Sequence, residues 1–266
     1  MTISCCTWAL TGSESEILTA IASTDIRHID YRPFDFHTEI SRQLILDLGL
    51  IPTCMATGFG MPGQAALDSV DPELRSVAIK HTRRALEYAD EMDIRRAYVL
   101  PGEKAEKESL KWYAESVFSL ANIAAAYGVK LCIEHFPGKA LESTQDTLEF
   151  INRLGHKDLY LLIDIGHTQI SNEDPIEAIT RAGDRLGYFH LDDNDGYSDL
   201  HWGLLDGVLT EDVLNNTLGA LKQISYDGPV SLEINPSLPD PLAAIKAGFQ
   251  LVDCLYQSTT DPSSAE

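Results

Sequence analysis

The sequence alternates eight times between a short apolar segment and a longer segment with helical spacing. The eight apolar segments are ISCCTWAL (3–10), IRHIDYR (26–32), LIPTCMA (50–56), RAYVLPG (96–102), VKLCIEH (129–135), LYLLIDIG (159–166), LGYFHLD (186–192) and PVSLEIN (229–235). The helix-like segments lie at about 13–23, 35–48, 72–92, 104–127, 145–154, 175–182, 210–223 and 240–256. Alternation of this kind predicts a parallel sheet covered by helices.

Capping signals support several of these helices. Asp71-Pro72 and Asp174-Pro175 each place a capping carboxylate before a proline, and Thr210 precedes the acidic first turn of EDVLNNTL. Side chains of this type accept hydrogen bonds from the first free N–H groups of a helix, and proline is tolerated at its first position. These signals predict where three of the helices begin.

Eight strand–helix units are what a closed (β/α)8 TIM barrel requires, although an open doubly wound sheet can be written from the same alternation. No Gly-x-Gly-x-x-Gly fingerprint follows the first strand, and no long linker divides the chain. We therefore predict an α/β fold, a single-domain TIM barrel over residues 1–256. The polar segment QSTTDPSSAE (257–266) is expected to be a flexible tail.

Composition narrows the classes of partner. The chain has 41 acidic and 20 basic residues and a formal charge of -21, so it would repel a polyanion, and we expect no nucleic-acid partner. No apolar run approaches the roughly 20 residues that span a bilayer, and the N-terminal residues lack the pattern of a signal peptide. We expect no membrane association, a cytoplasmic location and reduced core thiols at the five scattered cysteines. Whether chains associate into a homo-oligomer is left open.

Ionisable side chains end four consecutive predicted strands. They are Glu134, Asp164, His190 and Glu233. In a TIM barrel the carboxyl ends of the strands meet at one face, where functional side chains gather. A single such residue is more often a helix cap or a rim residue. Three carboxylates together on a half-buried rim, however, repel one another and are desolvated unless a cation compensates. Oxygen ligands with one nitrogen suit Mn²⁺, Mg²⁺, Co²⁺ or Zn²⁺, so the sequence predicts a divalent metal site.

The stretch HLDDNDGYSDLH (190–201) carries four aspartates between two histidines. It forms either a solvated acidic turn or one wall of the metal site. We expect Asp192, Asp193 and Asp195 to form the loop and face solvent.

Several motifs resemble those of the xylose isomerase-like TIM-barrel superfamily, which includes sugar phosphate isomerases and epimerases, inosose and dehydroshikimate dehydratases, and the apurinic endonuclease IV family. The motifs are IEH, DIGHT, GDRLGYFHLDDNDG, DLH and YDGPVSLEI, all between residues 129 and 235. The resemblance implies that Glu134, Asp164, His190 and Glu233 are the metal ligands, with Mn²⁺ as the expected ion. It also implies that His167 contacts the substrate.

Asp199-Leu200-His201 resembles the Asp-x-His pair found after strand seven in several members of the superfamily. The pair would orient the substrate or hold a second, weaker metal. The endonuclease members carry two further histidines at strands three and four, where this chain reads PTCMATG and YVLPG, so a DNA-repair enzyme is disfavoured. The ketose 3-epimerases carry an arginine in the strand-seven loop. This chain has none there, which disfavours a ketose 3-epimerase and favours an unphosphorylated substrate.

The resemblance implies an isomerase or epimerase of a small sugar or polyhydroxy carbonyl compound. Glu134 and Glu233 would transfer protons through a metal-stabilised enediolate. The alternative is a lyase that dehydrates a keto-polyol, such as an inosose or dehydroshikimate, or that eliminates from a keto-glycoside. Trp8 and Trp202 are expected to stack on the sugar, and His135 is expected to touch it.

Overall fold

The computed structural model describes residues 1–258, and its eight strands pair in parallel and in chain order until β1 pairs with β8. The strands are β1 Ile3–Cys6, β2 His28–Tyr31, β3 Ile51–Ala56, β4 Arg96–Val99, β5 Lys130–Glu134, β6 Leu159–Asp164, β7 Leu186–Leu191 and β8 Val230–Leu232. The TIM barrel predicted from the sequence is confirmed, and the open doubly wound sheet is excluded.

The strands are followed by helices that pack around the barrel. These helices are α1 Glu14–Ala22, α2 Glu39–Asp47, α3 Pro72–Glu91, α4 Lys107–Ala126, α5 Thr144–Leu154, α6 Ile165–Ile170, α7 Pro175–Ala182, α8 Glu211–Gln223 and α9 Pro241–Ser258. The side chains of Asp71, Asp174 and Thr210 cap α3, α7 and α8 as predicted. Over residues 1–258, no helix is both long enough and apolar enough to cross a bilayer.

Several boundaries differ from the sequence-based prediction. For example, β1, β4 and β8 end at residues 6, 99 and 232, whereas the predicted segments continue to 10, 102 and 235. The short helix α6 begins directly after β6, where the sequence had predicted the strand to continue to residue 166. The last helix reaches Ser258, two residues into the segment expected to be a tail. The rest of that segment, 259–266, lies outside the described residues.

The interior of the barrel is filled by side chains that range in size from alanine to tryptophan. These side chains are Cys6, Trp8, Cys54, Ala56, Tyr98, Cys132, Leu162 and Tyr188, whereas leucine and isoleucine side chains fill the space between the sheet and the helices. Four of the five cysteines are buried free thiols, and Cys254 is exposed. The filled interior makes the barrel a support rather than a channel, so functional groups are left at the carboxyl ends of the strands.

Candidate metal centre and cavity

Four side chains from β5 to β8 converge at the carboxyl end of the barrel. Glu134 and Asp164 are the last residues of β5 and β6, His190 is the penultimate residue of β7, and Glu233 directly follows β8. One ligand atom from each lies within 4.8 Å of the others, and all four residues are buried. His190 Nδ1 lies 2.8 Å from Glu233 Oε2, 3.4 Å from Glu134 Oε1 and 3.6 Å from Asp164 Oδ2. Parallel register explains the convergence, because Asp164 stands opposite His190 on the neighbouring strand.

The pKa of each ionisable residue in this cluster depends on the charges of the others. Burial raises the pKa of Glu134, although His190 opposes the effect. Burial also acts to raise the pKa of Asp164, but the charges of His167 and His190 outweigh it and hold that pKa well below its usual range. For His190, burial acts to lower the pKa, yet the carboxylates of Glu233, Asp164 and Glu134 raise it well above its usual value. Three buried carboxylates are therefore stable together only with a positive charge among them.

The residues present fit a divalent cation. Asp164 Oδ2 and both ring nitrogens of His190 are buried and form no hydrogen bond within the described residues. Buried polar atoms are rarely left in that state, so they are ready to coordinate an ion. Three carboxylates and one imidazole form a donor set that suits Mn²⁺, Co²⁺ or Zn²⁺. A bound cation would supply the positive charge that a protonated His190 supplies otherwise.

A chain of ion pairs extends from this cluster toward the surface. His167 Nδ1 donates to the His135 carbonyl (2.8 Å), and His167 Nε2 lies 3.5 Å from Asp199 Oδ1. Asp199 Oδ1 is also 3.2 Å from His201 Nε2, and His201 Nδ1 is 2.8 Å from Asp192 Oδ2. Burial disfavours the charged His201 ring, but hydrogen bonds to the two aspartates raise its pKa to about 12. The Asp-x-His pair therefore adjoins the centre.

The prediction that Asp192 and Asp193 face solvent is wrong, because both are fully buried. The loop after β7 folds back over the strand end, so Asp192 pairs with His201 and Asp193 accepts backbone N–H groups of the loop. Asp193 accepts from Gly207 (2.7 Å) and Leu209 (2.9 Å). Asp195 caps the outer turn of the loop and is only partly exposed.

A cavity of about 210 Å³ opens above the cluster. Its lining consists of Gly58, Phe59, Tyr98, Leu100, Glu134, Phe136, His167, His201 and Glu233. Ligand sites for drug-sized molecules measure roughly 300–1,000 Å³, so this cavity favours a small ligand. Its walls are largely aromatic and its floor carries the carboxylates, a combination that suits a sugar. Sequence reasoning missed Phe59, Tyr98, Leu100 and Phe136, although Phe136 follows Glu134 by two positions in IEHFPG.

Four residues expected to touch or orient the substrate are not part of that lining, namely Asp199, Trp8, Trp202 and His135. Trp8 Nε1 donates to Glu233 Oε1 (2.8 Å), and the indole ring lies 5.2 Å from the ring of Phe59. Trp202 pairs through its backbone with Asp193. The His135 ring is fully buried beside the Asp164 backbone, and burial lowers its pKa to about 3. The side chains of Trp8 and His135 therefore support the site from behind its wall.

Residues 20–253 match the family model of the xylose isomerase-like TIM barrel. The chain belongs to this family. An L-ribulose 3-epimerase of Mesorhizobium japonicum is 26% identical over 200 residues, 69% of this chain and 66% of that protein. An inosose dehydratase of Clostridium perfringens is 30% identical over 87 residues, 33% of this chain and 29% of that protein.

A solved structure of an L-ribulose 3-epimerase superposes with a TM-score of 0.82 at 18% identity, covering 98% of this chain and 99% of that one. At this identity the likeness shows the xylose isomerase-like fold alone. In sequence, the chain is therefore similar to an L-ribulose 3-epimerase and, over a shorter stretch, to an inosose dehydratase.

Proposed function

We propose that the protein is a divalent-metal-dependent isomerase or epimerase of a small sugar or polyhydroxy carbonyl compound. The observation that carries the proposal is the buried convergence of Glu134, Asp164, His190 and Glu233 at the floor of a small cavity. The L-ribulose 3-epimerase relative supports a sugar as the substrate class.

The four converging residues would hold the cation, which we propose to be Mn²⁺. Such an ion polarises a bound carbonyl and acidifies the neighbouring C–H bond. Glu134 and Glu233 both line the cavity and come from different strands, so their carboxylates reach a bound substrate from two directions. One removes the proton from carbon and the other returns a proton. Return on the opposite face gives an epimer, and return on the adjacent carbon gives an isomer.

Neighbouring side chains orient these groups. Trp8 holds Glu233 Oε1 and leaves Oε2 directed at His190. His167 lines the cavity, and its Nδ1 is occupied by the His135 carbonyl, so the Nε2 edge is left for a substrate hydroxyl or for Asp199. Glu233 is thereby held in place by a second group, which favours proton transfer.

A dehydratase is the second candidate function, and the match to an inosose dehydratase favours it. Here one carboxylate would remove the proton from carbon, and the hydroxyl on the next carbon would leave as water with a proton from the other carboxylic acid. The two functions share their first step and differ in the mass of the product.

The test combines metal analysis with hydrogen exchange. The purified protein is loaded with Mn²⁺, dialysed and assayed for bound metal. It is then incubated in D₂O with L-ribulose, D-psicose and scyllo-inosose. We expect bound Mn²⁺ and deuterium on carbon in at least one compound, with product mass separating isomerisation from loss of water. Absence of both bound metal and exchange would overturn the proposal.

A further inference from the structure

Tyr98 presents a hydroxyl group to the cavity above the metal centre. It is the penultimate residue of β4, and its side chain points into the barrel and lines the cavity. Within residues 1–258 its hydroxyl forms no hydrogen bond, yet, unlike the sealed hydroxyl of Tyr31, it keeps contact with solvent. A ligand in the cavity can therefore reach this hydroxyl.

The cavity offers a substrate few hydrogen-bond donors. The two glutamates of its floor present carboxylate oxygens, which accept hydrogen bonds when they are ionised. The Nε2 atoms of His167 and His201 lie 3.5 and 3.2 Å from Asp199 Oδ1, so a proton on either ring is directed at that carboxylate. The hydroxyl of Tyr98 can instead donate to a substrate oxygen without competition from Asp199.

Packing fixes the position of this hydroxyl. The Tyr98 ring stands edge-on to the ring of His190, with the ring centroids 5.4 Å apart and the planes at 83°. Thr57 Oγ1 donates to the Tyr98 carbonyl (2.6 Å), which anchors the end of the strand. Only 4% of Tyr98 is exposed, so the ring has little freedom to move. A donor held in this way requires no reorganisation during a reaction.

The proposed reaction gives such a donor a role. When one glutamate removes the proton from carbon, the electron pair of the C–H bond moves toward the carbonyl group, and the carbonyl oxygen gains negative charge. A phenol has an ordinary pKa of about 10, so at neutral pH it is protonated and can donate to that oxygen. A fixed donor lowers the reaction barrier when it is aimed at an oxygen on which charge develops.

We propose that Tyr98 is a further catalytic residue, whose hydroxyl donates a hydrogen bond to the substrate oxygen that becomes negatively charged during proton abstraction. This inference rests on the proposed function, because the charge develops only if Glu134 or Glu233 removes a proton from carbon. The four proposed metal ligands come from β5 to β8, so Tyr98 extends the catalytic groups to β4.

The test is calorimetric titration of the Mn²⁺-loaded protein with glycolohydroxamate, a small planar anion that imitates the charged substrate. Tyr98→Phe keeps the ring and removes the hydroxyl. We expect this variant to bind the hydroxamate about tenfold or more weakly, because hydrogen bonds to charged groups are among the strongest. Its affinity for Mn²⁺ should equal that of the wild type. The maximal rate of D₂O exchange should fall about tenfold or more, with little change in KM.

Tyr188→Phe is the matched control. The Tyr188 ring also stands edge-on to His190, at 5.6 Å and 88°, but its hydroxyl donates to Asp30 Oδ1 (2.6 Å) and it does not line the cavity. This variant should bind the hydroxamate as the wild type does, and melting curves verify that both variants are folded.

The possible failures are distinguishable. Unchanged hydroxamate affinity in Tyr98→Phe overturns the catalytic role, as does a rise in KM alone. Equal weakening in Tyr98→Phe and Tyr188→Phe also overturns it, because the effect then arises from packing against His190. A wild-type protein that binds neither Mn²⁺ nor the hydroxamate and shows no hydrogen exchange would instead overturn the proposed function.

Discussion

In the proposed mechanism, Glu134 and Glu233 each serve both as a metal ligand and as a proton acceptor at the cavity floor. Glutamine has the same size but neither the charge nor the basicity of glutamate. We therefore expect Glu134→Gln and Glu233→Gln each to lower the rate of D₂O exchange by about 10²–10⁴. Glu115→Gln, at an exposed position of α4, should leave the rate unchanged. Wild-type exchange in either cavity variant would contradict the proton-carrier role.

Trp8 contributes one hydrogen bond to a proton carrier. Trp8→Phe keeps an aromatic ring against Phe59 but removes the donor to Glu233 Oε1. Hydrogen bonds to charged groups are worth about 1.5–3 kcal/mol, so we expect the maximal exchange rate to fall at least tenfold with little change in KM. Trp112→Phe is the matched control, since that indole lies under Arg75 on the outside of the barrel. A rise in KM alone would indicate direct contact with the substrate instead.

His135 makes stability depend on pH. Its folded-state pKa is lowered to about 3 from 6.5 by burial, so the unfolded chain binds a proton that the folded chain excludes. The contribution of His135 to the free energy of unfolding is present in full above pH 6.5. It is lost as the pH falls toward 3, by up to about 1.4 kcal/mol per pH unit. Urea titrations of chelator-treated protein at several pH values between 4 and 7 give the free energy of unfolding at each pH. We expect this free energy to depend less steeply on pH in His135→Gln than in the wild type. Equal slopes would mean that His135 is protonated in the folded chain.

The positions of some site residues can be predicted from the sequence, whereas those of others cannot. Glu134, Asp164, His190 and Glu233 were predicted to converge because each follows an apolar strand, and strand ends meet in a barrel. The burial of Asp192 and the hydrogen bond of Trp8 were not predictable. Both depend on contacts made across long stretches of sequence, or on a loop that folds back, and no local pattern encodes such contacts.

At the scale of secondary structure, α6 shows a similar limit. Its six residues are too few for a periodic pattern, and Asp164 serves both as the end of β6 and as the N-cap, where it accepts the His167 N–H (3.0 Å). The helices with longer patterns and capping residues, such as α3 and α8, were predicted almost to their boundaries. A helix can therefore be predicted from sequence when it is long enough to show a periodic pattern and carries capping residues.

Gly166 allows α6 to approach the loop after β7. A methyl group there would lie 2.2 Å from Asp192 Oδ1 and 2.3 Å from Asn194 Nδ2, both belonging to buried side chains. We expect Gly166→Ala to reduce the free energy of unfolding by about 1–3 kcal/mol. We also expect it to weaken Mn²⁺ binding by shifting Asp164, the proposed ligand that caps α6. The control is Gly219→Ala in α8, where the added methyl meets nothing within 4 Å. Urea titrations should show that this control stabilises the protein by about 0.5–1 kcal/mol. Equal changes in the free energy of unfolding for the two variants would contradict a steric clash at Gly166.

For the whole molecule, the metal centre should act as a clamp between four strands. A ligand at about 100 times its dissociation constant adds about 2.7 kcal/mol to the native state. Removal of metal with a chelator should therefore lower Tm by about 5–10 °C for a domain of this size. Added Mn²⁺ should restore Tm in the wild type and much less in Glu134→Gln/Glu233→Gln. If a chelator removes no metal and leaves Tm unchanged, the four residues form a polar rim of the barrel and not a metal site.

The four proposed metal ligands all come from β5 to β8, whereas Gly58, Phe59, Tyr98 and Leu100 of the cavity wall come from the β3 and β4 units. Substitutions in the β3 and β4 units would therefore change part of the wall while the four proposed ligands stay in place. Under the proposed function, a change of preferred substrate would then not require the loss of proton transfer.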